Sequence, residues 1–373
     1  MALPANTDAT NALLQPISDD QPTGIDVRQD ASPLSKYQQL KSARAAARAS
    51  ERQAIHDGDS TAADEHWRKI ISLAPDILTT QSKDLEVACW FTEALIRRNG
   101  FHGLRNGFEL IKGLVENFWD GLYPTPDEDG IETRIAPLSG LNGEGAEGVL
   151  IAPIRKVPIT EGYSPGPFSL WQYQQALEAQ RSPDEDTRQN KVAKLGFSIE
   201  DIERAVGDSS AEFYVGLMDN LSVAIDIYKE LGNLLDQRCG SEFAPPTRNI
   251  VSILEECRGA VAHLGKEKIP TAPEPESTTE TDSADSNGAP QSTSQSTAKT
   301  SSGVINSREA AFKQLLEIAK FFRKTEPHSP VSYVIEKAVK WGNMPLNELI
   351  NELIPDSSSR ERYSELTGVK DED

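Results

Sequence analysis

The chain has 373 residues, 37% hydrophobic and 26% charged, with 38 Lys and Arg against 58 Asp and Glu and a net charge of −20 at pH 7. That length predicts two or three domains. The acidic balance repels phosphate backbones and argues against nucleic acid as a main partner. The three cysteines, Cys89, Cys239 and Cys257, are too few and too irregular for a disulfide framework and fit a reducing cytosol. The N-terminus lacks a basic start and an apolar run, so no signal peptide is expected. No stretch reaches the ~18 apolar residues of a membrane span, so no direct membrane insertion is expected.

In chain order the pattern is mainly helical. Ser32-Pro33 fits an N-cap and first helical position, leading through Tyr37 and Leu40 to about Ala54. Trp67, Ile70, Ile71 and Ala74 form a second helix that Pro75 should interrupt. Leu85, Ala88, Cys89, Thr92, Leu95 and Ile96 lie on one face, ended at Asn99-Gly100. Leu104, Phe108, Ile111, Val115, Phe118 and Trp119 form the next stripe, ended by "YPTP". Residues 131–160, "IETRIAPLS" and "VLIAPIRKVPIT" around "GLNGEGAEG", are rich in strand formers and predict a small β-hairpin. A short helix, "FSLWQYQQALEAQ", and an acidic loop follow. "SIED" and "SSAE" both fit capping boxes. A long helix from Ser209 to about Arg238 pairs with a helix through Ile250, Ile253, Leu254, Cys257, Val261 and Leu264. Residues 270–303 contain no aromatic, Leu, Ile, Val or Met. They cannot bury enough apolar surface to order themselves and predict a disordered linker with a coil dimension of roughly 30–35 Å. Beyond it come a helix capped by Asn306 and Glu309 and running to Lys324, the turn "EPHSP", a helix from Ser329-Pro330 to Gly342, a third from Pro345 and a short last one. His328 reads as a turn residue rather than a ligand.

The resulting division is an N-terminal helical domain with a small β-hairpin (1–195), a middle antiparallel helix pair (196–269), the linker (270–303) and a small C-terminal helical module (304–373). Several motifs resemble reactive sites. "GEGAEG", Gly143 to Gly148, has dinucleotide-loop spacing, but Glu144 and Glu147 would sit beside the pyrophosphate. "GYSPG", around Ser164, has nucleophile-elbow spacing, but Pro165 lacks the N–H that an oxyanion hole needs. "HDGDSTAADEHW" gathers His56 and His66 among acids without fixed ligand spacing. No catalytic, metal or cofactor-binding residues are therefore expected, and the chain reads as an interaction protein rather than an enzyme.

The C-terminal module has 70 residues and is marginal alone. At 100° per residue its first helix carries an apolar arc of about 220°, wider than the ~100° a surface helix needs. The excess predicts a second buried face and self-association, unless this helix is simply central among its neighbours. Phe312, Leu315, Ile318, Phe321, Phe322, Tyr333 and Trp341 are the candidate interface. Residues 304–342 carry seven Lys and Arg against four Asp and Glu, a basic patch in an acidic chain.

Four stretches together resemble one family. They are "PISDDQPTGIDVR" (16–28), "ACWFTEALIRRNGFHGLRNGFELIKGLVENFWDGLYP" (88–124), the expected hairpin "APLSGLNG…GVLIAPIRKVPIT" and "SREAAFKQLLEIAKFFRKTEPHSPVSYVIEKAVKWGNMPLNELINELI". The chain is similar to the TssA proteins of the type VI secretion system, short subclass, whose N-terminal part is the ImpA N-terminal domain. The resemblance implies a non-enzymatic scaffold of the bacterial cytoplasm, recruited to the secretion machine at the inner membrane. Its C-terminal module would build a ring-like oligomer contacting baseplate, tube and contractile sheath proteins and helping to initiate or coordinate tail polymerisation. The alternatives are a monomeric or dimeric adaptor, or a metal-dependent hydrolase using His56 and His66.

Overall fold

The computed structural model describes residues 7–57, 60–128, 130–162, 164–269, 308–325, 330–342, 344, 349 and 352. The chain divides into two compact units at about residue 278. The first contains α1 (Thr7–Leu13), α2 (Lys36–Asp57), α3 (Thr61–Thr80), α4 (Leu85–Phe118), α5 (Glu132–Asn142), α6 (Ile151–Lys156), α7 (Leu170–Gln180), α8 (Glu185–Leu195), α9 (Ile199–Asp208), α10 (Ala211–Cys239) and α11 (Arg248–Leu264). Among the described residues the only strand-type pairings are isolated bridges.

The organising element is α4. Its apolar residues recur on more than one face, so it needs cover on several sides. It carries buried residues along its whole length, from Leu85 to Phe118, and packs against α1, α3, α5, α6 and α10. Gly100 bends it, with φ 59° and ψ −143° inside an otherwise helical run. Those angles suit glycine alone, and this is the break expected at Asn99-Gly100. The α10–α11 pair forms as expected. Its buried residues, from Tyr214 to Val261, are continuous with the core built on α4, and Tyr228 packs at a tilt on Phe108, with ring centroids 4.5 Å apart.

Several local expectations are corrected. The β-hairpin over 131–160 is absent, and α5 and α6 stand in its place. Ile135, Leu138 and Leu141, then Ile151, Ile154 and Val157, recur every three residues and are buried, which is helical spacing. Buried Arg134 fixes α5 to the end of α4 by donating to the carbonyls of Trp119 (2.7 Å) and Pro124 (3.2 Å). Among the described residues there is no strand for it to pair with, and a lone hairpin is only marginally stable. Pro75 does not interrupt α3. Ala74, Ile77 and Leu78 around it are fully buried, and that burial outweighs one lost backbone hydrogen bond. Ser32-Pro33 lies in a turn before α2, and the Ser35 hydroxyl instead accepts from Gln38 N at 3.2 Å. The acidic loop after α7 continues into α8, capped by Asp184, which accepts from Thr187 N at 2.7 Å. Ser198 and Asp201 form the capping box of α9. The cap of α10 is Ser210, accepting from Phe213 N, rather than Ser209.

The second unit contains α12 (Arg308–Thr325) and α13 (Val331–Gly342), which pack on each other. Ala319, Ser332 and Val339 are buried. The Arg308 guanidinium donates to the Gly342 carbonyl, and Arg323 meets Glu336 at 2.7 Å. These contacts join opposite ends of the two helices, so the pair is antiparallel. The expected linker at 270–303, His328 in its turn and most of the two last helices lie outside the described residues.

Candidate interaction surface

On the second unit, α12 and α13 leave much of their apolar surface uncovered. Phe321 is 61% exposed, Tyr333 59% and Val334 62%; Leu315, Leu316, Ile318 and Val331 are exposed as well. Phe312, Phe322 and Trp341 are half-buried. Of the seven candidates, Leu315, Ile318, Phe321 and Tyr333 therefore face solvent, and the other three are shared between the helix pair and its surface. Val331 and Val334 were missed. Both lie on α13 one turn apart, a spacing that could have drawn attention to them, whereas the sequence reading there was led by aromatics.

The basic residues are arranged against the rings. The Arg308 guanidinium lies 5.3 Å from the Phe312 ring centroid, Arg323 lies 4.9 Å from Tyr333, and Lys337 Nζ lies 4.8 Å from Trp341. Each cation gains from the negative ring face and holds its aromatic in place. Phe321 and Phe322 meet edge-on at 5.9 Å. The surface is therefore apolar and basic together.

On the first unit, the segment "PISDDQPTGIDVR" is attached to the α3–α4 turn by backbone bonds. Ile25 N donates to Gln81 O at 2.9 Å and Lys83 N to Thr23 O at 2.8 Å. Gly24 adopts φ 72°, and any Cβ there would run into the Gln81 carbonyl. Arg28 then reaches Asp84 (2.5 Å) and Glu86 (2.6 Å), and Glu86 also accepts from the Tyr37 hydroxyl at 2.8 Å. Asp84 caps α4 by accepting from Val87 N at 3.0 Å. Burial pushes its carboxyl up and Arg28 pulls it back. The role of this network is to attach the segment to the start of α4.

The other motifs have structural roles. Residues 143–148 join α5 to α6, so a helix precedes the glycines where a dinucleotide site needs a strand. Asn142 at the end of α5 accepts from Ile250 N at 3.0 Å, closing the start of α11. "GYSPG" lies in the connection between α6 and α7. His56 falls in the last turn of α2 and His66 in α3. Among the described residues no group of three or more His, Cys, Asp and Glu is placed to hold a metal. Cys89 and Cys257 are buried, and burial raises both thiols, Cys257 to about 12. No helix among the described residues is long and apolar enough to cross a membrane.

Residues 14–143 match the family described as ImpA, N-terminal, type VI secretion system. Over 360 residues the chain is 26% identical to the type VI secretion system component TssA1 of Pseudomonas aeruginosa, covering 96% of this chain and 98% of that relative. It also resembles a solved N-terminal domain, including the conserved ImpA_N region, of the TssA component from Burkholderia cenocepacia. That likeness has a TM-score of 0.58 and 27% identity, over 72% of this chain and 96% of the other.

Proposed function

We propose that the chain, whose residues 14–143 match the ImpA N-terminal family and which is similar over 96% of its length to a TssA1 component, is a TssA-type, non-enzymatic assembly subunit of the type VI secretion system whose C-terminal helices hold several copies together. The observation that carries this is the uncovered apolar face of α12 and α13. Leu315, Ile318, Phe321, Tyr333 and Val334 are all more than a third exposed, and burying such side chains contributes about 25 cal/mol per Å² removed from water. Neighbouring copies cover these side chains when part of the surface on one meets a different part on the next, and such head-to-tail contacts repeat into a ring when the rotation between copies closes.

In this reading the ring presents many N-terminal units to baseplate, tube and sheath proteins and helps to initiate or coordinate tail polymerisation from the cytoplasmic side of the inner membrane. Several arms on one ring raise the effective concentration of each contact without requiring any single one to be strong. A sequence rich in Ser, Thr, Pro and acids between residues 270 and 303 suits such reach. Light scattering on the full chain tests the self-association. Phe321→Asp or Tyr333→Asp should lower the mass of the assembly while helicity stays unchanged. Unaltered mass for both variants would remove α12 and α13 from the interface.

A further inference from the structure

The exposed side of α12 has two halves. At about 100° per residue, Lys313, Lys320 and Lys324 fall within roughly 40° of one another. Leu315, Ile318 and Phe321 follow on the far side of Glu317, and all of these residues are exposed. Among the described residues no carboxylate forms an ion pair with any of the three lysines. The other cations of the helix pair differ: Arg323 is taken by Glu336 at 2.7 Å, and Lys337 and Lys340 face Glu352 at 3.8 and 3.6 Å. Helix α12 thus carries three uncompensated cations beside three uncovered apolar side chains.

The same chain supplies the complement. Residues 353–373, which lie outside the described residues, carry six Asp and Glu against three Lys and Arg. Residues 304–342 have the opposite balance, seven Lys and Arg against four Asp and Glu. The segment also carries Leu353, Ile354, Tyr363, Leu366 and Val369. Its starting point is fixed by Glu352. On α13, Glu336 and Gly342 meet α12, through Arg323 and the Phe312 ring. Lys337 and Lys340, which face Glu352, lie on another side of that helix. The segment therefore leaves on a flank of α13 turned away from α12, and the apolar half of α12 is reached more directly from a neighbouring molecule. We propose that residues 353–373 of one copy cover the exposed side of α12 on the next. Their carboxylates meet Lys313, Lys320 and Lys324 and set the register, and their apolar side chains take Leu315, Ile318 and Phe321. The contact joins two different parts of the chain, as a head-to-tail ring requires. This assignment rests on self-association through the C-terminal helices and names the segment that meets them.

The test compares three proteins by multi-angle light scattering: the full chain, a chain that stops after Glu352, and a full-length variant with Ile318→Asp and Phe321→Asp. The full chain should assemble, and each of the other two alone should run at the mass of a single copy. Their equimolar mixture should give a one-to-one pair, because one keeps the α12 face and the other keeps the segment. Tyr363→Asp with Leu366→Asp, which leaves the length intact, should lose mass as the truncation does, with unchanged circular dichroism. A fluorescein-labelled peptide of residues 353–373 should bind the truncated chain, and at least tenfold more weakly once Lys313, Lys320 and Lys324 are all changed to Glu. Full mass in both the truncated chain and the Tyr363→Asp, Leu366→Asp variant would overturn the proposal and leave self-association standing. An assembling full chain whose two defective forms make no pair would overturn it by placing the segment on its own copy. Peptide binding indifferent to the three lysines would overturn it as well. A full chain at the mass of one copy would overturn both this proposal and the self-association it rests on.

Discussion

Two buried charges in the first unit define what its core tolerates. Lys83 is fully buried and its ammonium donates to the carbonyls of Leu13 (2.8 Å) and Leu78 (2.6 Å). Both acceptors belong to the last turns of helices, α1 and α3, where carbonyls lack intrahelical partners. Burial lowers this amine from 10.5 to about 8. Between those values the unfolded chain binds more protons than the folded one, so raising the pH stabilises the fold. A neutral amine still has two N–H groups for its two carbonyls. Urea unfolding should therefore show the advantage of wild type over Lys83→Met growing between pH 7.5 and pH 10, by up to roughly 3 kcal/mol. Glu93, also fully buried, accepts from Arg44 at 2.7 Å and lies 3.5 Å from Arg48 and 3.6 Å from Arg97. Removing one partner of a buried ionic cluster leaves the others uncompensated, so Glu93→Ala should cost about 3–5 kcal/mol in the same assay.

At the scale of elements, the bend in α4 is the most exacting feature. Gly100→Ala would hold a Cβ in a glycine-only conformation, 3.1 Å from Val157 Cγ1. A loss of about 1–3 kcal/mol in thermal or urea unfolding is expected. This bend was legible, because Asn-Gly is a strong helix terminator. So were α7, α9, α10 and α11 from their apolar stripes, although the cap of α10 falls one residue later than "SSAE" predicts and α11 starts without a side-chain cap. Helices α5 and α6 were not, because Ile, Val and Pro outweighed a three-residue spacing that only Arg134, Ile135, Leu138 and their neighbours reveal once they are placed against α4. Pro75 misled for a related reason. A proline penalty is local, and the burial of Ala74, Ile77 and Leu78 that outweighs it depends on tertiary packing. Helix α8 buries none of its residues, so no apolar period could announce it. Only Asp184 at its start and Gly196 at its end, with φ 78°, mark it.

For the whole molecule, the wide apolar arc of α12 is what points to an interaction protein. The apolar excess of α12 located the C-terminal surface as far as Leu315, Ile318 and Phe321, while Val331 and Val334 required the structure. The account rests on self-association through α12 and α13, and the absolute mass of the full chain in solution tests it most directly. Multi-angle light scattering should give one discrete species at a multiple of 40.8 kDa, reduced in mass by Phe321→Asp with unchanged circular dichroism. A single species at 40.8 kDa across the working concentration range would contradict it.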